Sequence, residues 1–169
     1  HTISHGLQQA MEYAKMLDVK FAFSSNGEGF AEHDFLTGKE RTFGMDEFPS
    51  RDELIERYKR EANDGNGLNG QEEAIINQPF CTGQNIFPPR YYQLNAVNRT
   101  INAIAKGQDR VLLVMATGTG KTYTAFQIVW RLLKSGLKKK VLYLADRNIL
   151  VDQSIQQDFK PLEKVIHKI

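Results

Sequence analysis

The segment MATGTGKT, Met115 to Thr122, stands between an apolar run and a helical pattern, and that placement restricts the fold more than any other feature of the chain. Val111 to Met115 (VLLVM) and Val141 to Ala145 (VLYLA) are continuous apolar runs, as strands buried on both faces of a parallel sheet require. Between them, Lys121 to Lys134 carries Ala125, Ile128, Val129, Leu132 and Leu133 and is long enough to be a crossover helix. Strand, helix and strand predict a right-handed βαβ unit. At the first strand-to-helix junction, Gly118 and Gly120 allow a tight turn that aims consecutive N–H groups inward, and the helix N-terminus adds its positive dipole end. Such a turn fits di- and triphosphates. Lys121 is placed to reach the β- and γ-phosphates as a point charge and Thr122 to ligate Mg²⁺ through its hydroxyl, while Thr117, Gly118, Thr119 and Gly120 line the turn. A chance glycine-rich turn is the competing explanation, and it leaves the flanking strand and helix patterns as coincidences.

A second polar feature precedes this loop. Leu94, Val97, Ile101, Ile104 and Ala105 make one face of a helix that Lys106-Gly107 closes, and Gln93 stands at its start within Arg90-Tyr91-Tyr92-Gln93, 28 residues before Lys121. A side-chain amide both donates and accepts, which matches the N6/N7 edge of adenine. Taken alone, Gln93 reads as a surface amide; Tyr91 and Tyr92 either stack on a base or pack in the core. Beyond the second apolar run, Leu144 to Gln153 (LADRNILVDQ) lies where loops at the C-terminal ends of parallel strands line a binding crevice. There Arg147 is a candidate contact to a nucleic-acid phosphate, with Asn148 and Gln153 assisting. The alternative is an arginine at a helix start with no ligand.

The amino-terminal half has a different character. Ile3, Leu7, Ala10, Met11, Ala14 and Leu17 lie on one helical stripe, and Gln9 and Tyr13, four apart, lie side by side on its flank. Val19 to Ser24, Gly29 to Phe35 and Glu40 to Phe43 read as short strands separated by the turn signals Asn26-Gly27 and Thr37-Gly38. Ser50 with Glu53 forms a capping-box spacing for a helix ending near Ala62. From Asn63 to Pro89, glycines, asparagines and prolines break regular structure apart from a turn of helix at Gln71 to Ile76, and mark an interdomain connection.

Charge divides along the same line: residues 1–80 hold 8 Lys/Arg against 15 Asp/Glu, and residues 81–169 hold 14 against 5. The basic half either faces a polyanion or is covered by solvated lysines. Cys81 cannot pair within the chain, and a lone thiol points to a reducing cytoplasm. No apolar run approaches the ~20 residues that cross a bilayer, so no membrane partner is expected. His1, His5, His33 and His167 show no ligand spacing. The chain opens on His1 with no leader-like pattern and reads as an internal piece of a longer protein.

With Met115 where the general phosphate-loop pattern has its leading glycine, Ala116 to Thr122 resembles motif I of superfamily 2 helicases, and Arg90 to Gln93 resembles the Arg-x-Tyr-Gln element with which those motors read adenine. LADRNILVDQ resembles their next motif, which lies against the nucleic-acid backbone. Gln9 and Tyr13 resemble the QxxxY element that follows the catalytic core in one branch of the PD-(D/E)xK nucleases, and Phe21 to Phe30 with Phe43 to Leu54 continues a resemblance to the R (motor) subunits of type I restriction enzymes. The resemblance spans nearly the whole chain. It implies an α/β fold: residues 1–48 as the C-terminal part of a nuclease-like domain, 49–88 as helix and connector, and 89–169 as the first part of a RecA-like parallel-sheet domain. It implies ATP and Mg²⁺ as ligands, with Arg90, Gln93 and Thr117 to Thr122 at the nucleotide, double-stranded DNA as substrate, and modification and specificity subunits as partners. The nuclease carboxylates, acidic box and arginine finger lie outside these residues, so the chain alone is expected to bind nucleotide weakly and to turn over almost none. The alternatives are another superfamily 2 motor, of the type III restriction or excision-repair kind, and a nucleotide-binding module without motor activity.

Overall fold

A computed structural model describes residues 2–82, 87–145 and 148–168; the side chains at 148 and 149 are also outside the description. The chain forms two compact units, residues 1–69 and 70–169.

The first unit opens with a single 3-10 turn, Ile3–Gly6, and α1, Leu7–Leu17, which buries Leu7 and Ala14 and ends where Asp18 takes the left-handed conformation. Three antiparallel strands follow in the order β1 (Phe21–Ser25), β2 (Gly29–Asp34) and β3 (Lys39–Gly44). The first turn is the one that Asn26-Gly27 predicts: Gly27 has φ 89°, and the Asn26 side-chain oxygen accepts the Glu28 N–H at 3.0 Å. Helix α2, Arg51–Gly65, begins where Ser50 Oγ accepts the Glu53 N–H, and its backbone leaves the helical region at Ala62. Phe48 packs between Phe23 and Phe30, with ring centroids 4.9 and 4.7 Å away.

Glu32 and Asp34, two apart on β2, share one face and are almost wholly buried. Charges are held there only with partners. Arg57 of α2 donates through Nη2 to Glu32 at 2.5 Å and to Asp34 at 2.8 Å, its guanidinium lying 4.7 Å from the Phe21 ring centroid. Arg41, opposite Glu32 on β3, donates to the same carboxylate at 2.6 Å. Burial pushes the Asp34 carboxyl up, but hydrogen bonds from Arg57 and from the Leu36 and Thr37 amides outweigh it and leave Asp34 below its ordinary value.

The second unit contains α3 (Gly70–Ile76), α4 (Tyr91–Ala105), α5 (Lys121–Lys134), α6 (Asn148–Gln156) and a 3-10 segment, Lys160–Val165. The α4 face read from the sequence is the one that packs: Val97 and Ile101 are wholly buried, and Ile101 and Ala105 meet Ile75 and Leu132. Gly107 closes α4 at φ 85°. A second cluster joins Cys81, Phe126, Phe159 and Leu162.

The two strands expected to flank α5 do not form. Val111 to Met115 and Val141 to Ala145 carry no ladder, and Leu112, Val114, Leu142 and Leu144 are 70–88% exposed instead of buried. An extended run becomes a strand only when another backbone satisfies its N–H and C=O groups. These two runs do not pair with each other, and among the described residues the ladders belong to β1, β2 and β3 alone. Of the apolar positions expected to pack on α5, Leu132 is buried, while Ala125, Ile128, Val129 and Leu133 are only partly so; Phe126 and Gln127 are fully enclosed.

Candidate phosphate-binding site

The turn from Met115 to Thr122 adopts the backbone its glycines permit. Gly118 has φ 77° and Gly120 φ 80°, conformations that cost a side-chain-bearing residue about 1 kcal/mol or more. The turn is laced to the Ala116 carbonyl, which accepts from the Thr119 N–H at 3.4 Å, from the Thr119 hydroxyl at 2.6 Å and from Lys121 Nζ at 3.2 Å. The Lys121 ammonium is therefore drawn back over the turn at the first position of α5, at the end of a helix that favours anions. Thr122 is next, partly buried. Among the described residues no three His, Cys, Asp or Glu side chains come together as metal ligands.

Gln93 joins this turn directly. Its Oε1 accepts the Arg90 N–H at 2.9 Å, capping α4, and its Nε2 donates to the Thr119 carbonyl at 2.9 Å. A Cβ at residue 120 would land on the Gln93 amide, so close approach as well as positive φ calls for glycine there. The structure thus brings Arg90, Gln93 and Thr117 to Thr122 to one place. The Arg90 side chain is exposed. Tyr91 is 61% exposed and edge-on to Tyr92, so packing in the core is not its role.

The other expected residues fall elsewhere. Gln9 Nε2 donates to Tyr13 OH at 2.9 Å on the exposed flank of α1, in the first unit. Gln153 is exposed on α6; Arg147 and the Asn148 side chain lie outside the described residues.

Sequence reasoning missed a polar stripe on α5. Tyr123, Gln127 and Arg131 recur every four residues on one side of the helix. Gln127, with no exposed surface, accepts the Cys81 N–H and donates to the Cys81 carbonyl, both at 3.0 Å, and donates to Tyr123 OH at 3.1 Å. Tyr123 in turn donates to the Phe87 carbonyl at 2.9 Å; burial pushes its phenol up, against the hydrogen bond from Gln127. Arg131 donates to the Asn98 side chain at 2.7 Å and the Ile75 carbonyl at 2.8 Å, above the Phe80 ring, and burial lowers it to about 10, still cationic at neutral pH. The four-residue recurrence was the available signal; the backbone groups it serves are not visible in sequence.

Comparison with known proteins extends the site to a family. Residues 86–168 match the family described as type III restriction enzyme, res subunit. That match leaves out the first unit, which is decided by a relative aligned along the entire chain: the type I restriction enzyme EcoAI endonuclease subunit of Escherichia coli, 47% identical over 173 aligned residues. The chain belongs to the R-subunit family of type I restriction enzymes. Another R subunit, the EcoKI endonuclease subunit of Escherichia coli K12, is 33% identical across 81% of the chain. A fragment structure of an HsdR subunit from Vibrio vulnificus YJ016 superposes with a TM-score of 0.66 at 37% identity, covering 80% of this chain and 24% of that one. This R-subunit chain spans 21% of the EcoAI relative and 12% of the EcoKI relative. Its described helices include none long and apolar enough to cross a membrane.

Proposed function

We propose that this chain is the ATP-binding segment of an ATP-dependent, DNA-translocating restriction endonuclease subunit. In this reading residues 1–48 end a PD-(D/E)xK-type nuclease domain, with Gln9 and Tyr13 as its associated pair, 49–88 connect, and 89–169 begin a RecA-like motor domain. The full protein acts in the cytoplasm on double-stranded DNA alongside modification and specificity subunits. The observation that carries the reading is the glycine turn at the start of α5, with Lys121 drawn over it and Gln93 fastened to its Thr119 carbonyl. Phosphate oxygens would replace the Ala116 carbonyl as acceptors for Lys121, and Mg²⁺ bound with the nucleotide would supply charge neutralisation at the β- and γ-phosphates. The full-length protein is expected to hydrolyse ATP faster when DNA is added; turnover indifferent to DNA contradicts the motor reading and favours a plain nucleotide-binding module.

Gln93 suits a base-reading role because its amide is only half used. An amide has two N–H donors and two acceptor lone pairs. One of each is engaged by Thr119 and Arg90, which also fixes which end is oxygen, leaving one donor and one acceptor for adenine. In the full-length protein Gln93→Ala is expected to lower the preference for ATP over GTP by about tenfold, the two hydrogen bonds contributing about 1 kcal/mol each or less. Equal loss of affinity for both nucleotides counts against the role.

Arg147 is assigned to the DNA backbone. Removing one phosphate contact weakens binding alike on all sequences and lowers the slope of log affinity against log salt by about one. Arg147→Ala is expected to do both in a titration of duplex DNA at several salt concentrations; an unchanged slope removes Arg147 from the contact set.

A further inference from the structure

The hydrogen bonds around the phosphate turn close into a ring that includes the Tyr123 hydroxyl. Starting from the Thr119 carbonyl, the ring runs through the Gln93 amide to the Arg90 N–H, back along Pro89 and Pro88 to the Phe87 carbonyl, and across to Tyr123 OH. Five residues of backbone, from Tyr123 to Thr119, complete it. Both sides are stiff: one is the first turn of α5, and the other contains two consecutive prolines whose φ is locked by their rings. Tyr123 is itself held by Gln127, whose amide clamps both backbone groups of Cys81. The phenol thus ties the backbone leading into α4 to the helix that grips phosphate.

We propose that Tyr123 is a positioning residue for nucleotide selectivity, setting through the Phe87 carbonyl where the Gln93 amide stands relative to the phosphate turn. The proposal rests on the base-reading role of Gln93 given above. Without the phenolic hydrogen bond, the Phe87 carbonyl loses its tie to α5, and the Arg90 N–H that orients Gln93 Oε1 can drift. Misorientation of an amide by a fraction of an ångström costs base discrimination more than it costs phosphate binding, because the base contact is directional and the contact from Lys121 is a point charge.

The test is equilibrium binding of ribose-labelled fluorescent ATP and GTP analogues, with Mg²⁺, to the full-length protein carrying Tyr123→Phe, Gln93→Ala or both. Tyr123→Phe keeps the ring and removes the hydroxyl, so its melting midpoint serves as the control for folding. The expected result is a preference for the adenine analogue lowered about fivefold, the worth of one hydrogen bond of ordinary strength. The double variant is expected to be no less selective than Gln93→Ala alone, since Tyr123 acts through Gln93. Pro89→Gly, which relaxes the other side of the ring, is expected to move selectivity in the same direction. Selectivity at the unsubstituted level in both Tyr123→Phe and Pro89→Gly, or additive losses in the double variant, overturns the proposal while leaving Gln93 its role. Undiminished preference in Gln93→Ala instead overturns the base-reading role and this proposal with it, and that failure is told apart because the variant leaves Tyr123 intact.

Discussion

Lys121→Ala in the full-length protein is expected to lower DNA-stimulated ATP hydrolysis by on the order of 100-fold or more, the scale seen when one preorganised contact to a transition-state charge is removed. The Lys121 ammonium is the cation that the phosphate turn itself positions, standing 3.2 Å from the Ala116 carbonyl at the base of the turn. Its loss leaves Gly118 and Gly120 free to form the same backbone, so the variant is expected to fold with an unchanged melting midpoint. Lys121→Arg is expected to recover little, because a planar fork does not fit where a compact ammonium does. DNA-stimulated hydrolysis within a few-fold of the unsubstituted protein in Lys121→Ala would place the nucleotide elsewhere.

The second large effect lies in the first unit and concerns stability. Arg57→Ala removes the guanidinium that Glu32 and Asp34 share, leaving Glu32 with Arg41, itself half exposed, and Asp34 with the Leu36 and Thr37 amides. Removing one partner from a buried charge group costs about 3–5 kcal/mol, against a total stability of about 5–15 kcal/mol for an ordinary domain. Urea unfolding followed through the first unit should show that loss at neutral pH. The pH dependence has a definite sign. In the unsubstituted protein the folded Asp34 pKa lies below its ordinary 3.8, so its contribution is present above that value and is lost as pH falls through the lower folded value. In Arg57→Ala the burial that already pushes Asp34 up is opposed by less, and protonation then relieves a buried charge. The stability gap between the two proteins is therefore expected to narrow as the solution is taken below about pH 4. A gap that stays constant down to acid pH would mean that Arg57 contributes by packing on Phe21 and not by charge.

What the sequence disclosed and what it hid follow from the range of the forces involved. Local chemistry was legible: the Ser50 cap, the Asn26-Gly27 turn, the α4 face and the glycine turn before Lys121 each depend on residues within four or five positions of one another. Features that need a distant partner were not. Glu32 and Asp34 on a strand read as ordinary solvated positions until Arg57, 25 and 23 residues away, is placed over them. Tyr123, Gln127 and Arg131 look like the wet side of an amphipathic helix, yet Gln127 is enclosed because the backbone of Cys81, 46 residues earlier, runs along it. The same reasoning explains the error over VLLVM and VLYLA. Their composition shows what would pack if neighbouring strands were present, but a ladder is made by two backbones, and composition says nothing about where the second one is.

Hydrogen–deuterium exchange on the full-length protein, with and without Mg²⁺ and a slowly hydrolysed ATP analogue, tests most directly whether the glycine turn grips a nucleotide. The account predicts slowed exchange concentrated at the amides of residues 117–122, with a smaller effect at 90–93, and loss of both in Lys121→Ala. Saturating nucleotide that leaves the amides of 117–122 exchanging at their original rates, while protecting a different segment, would contradict it.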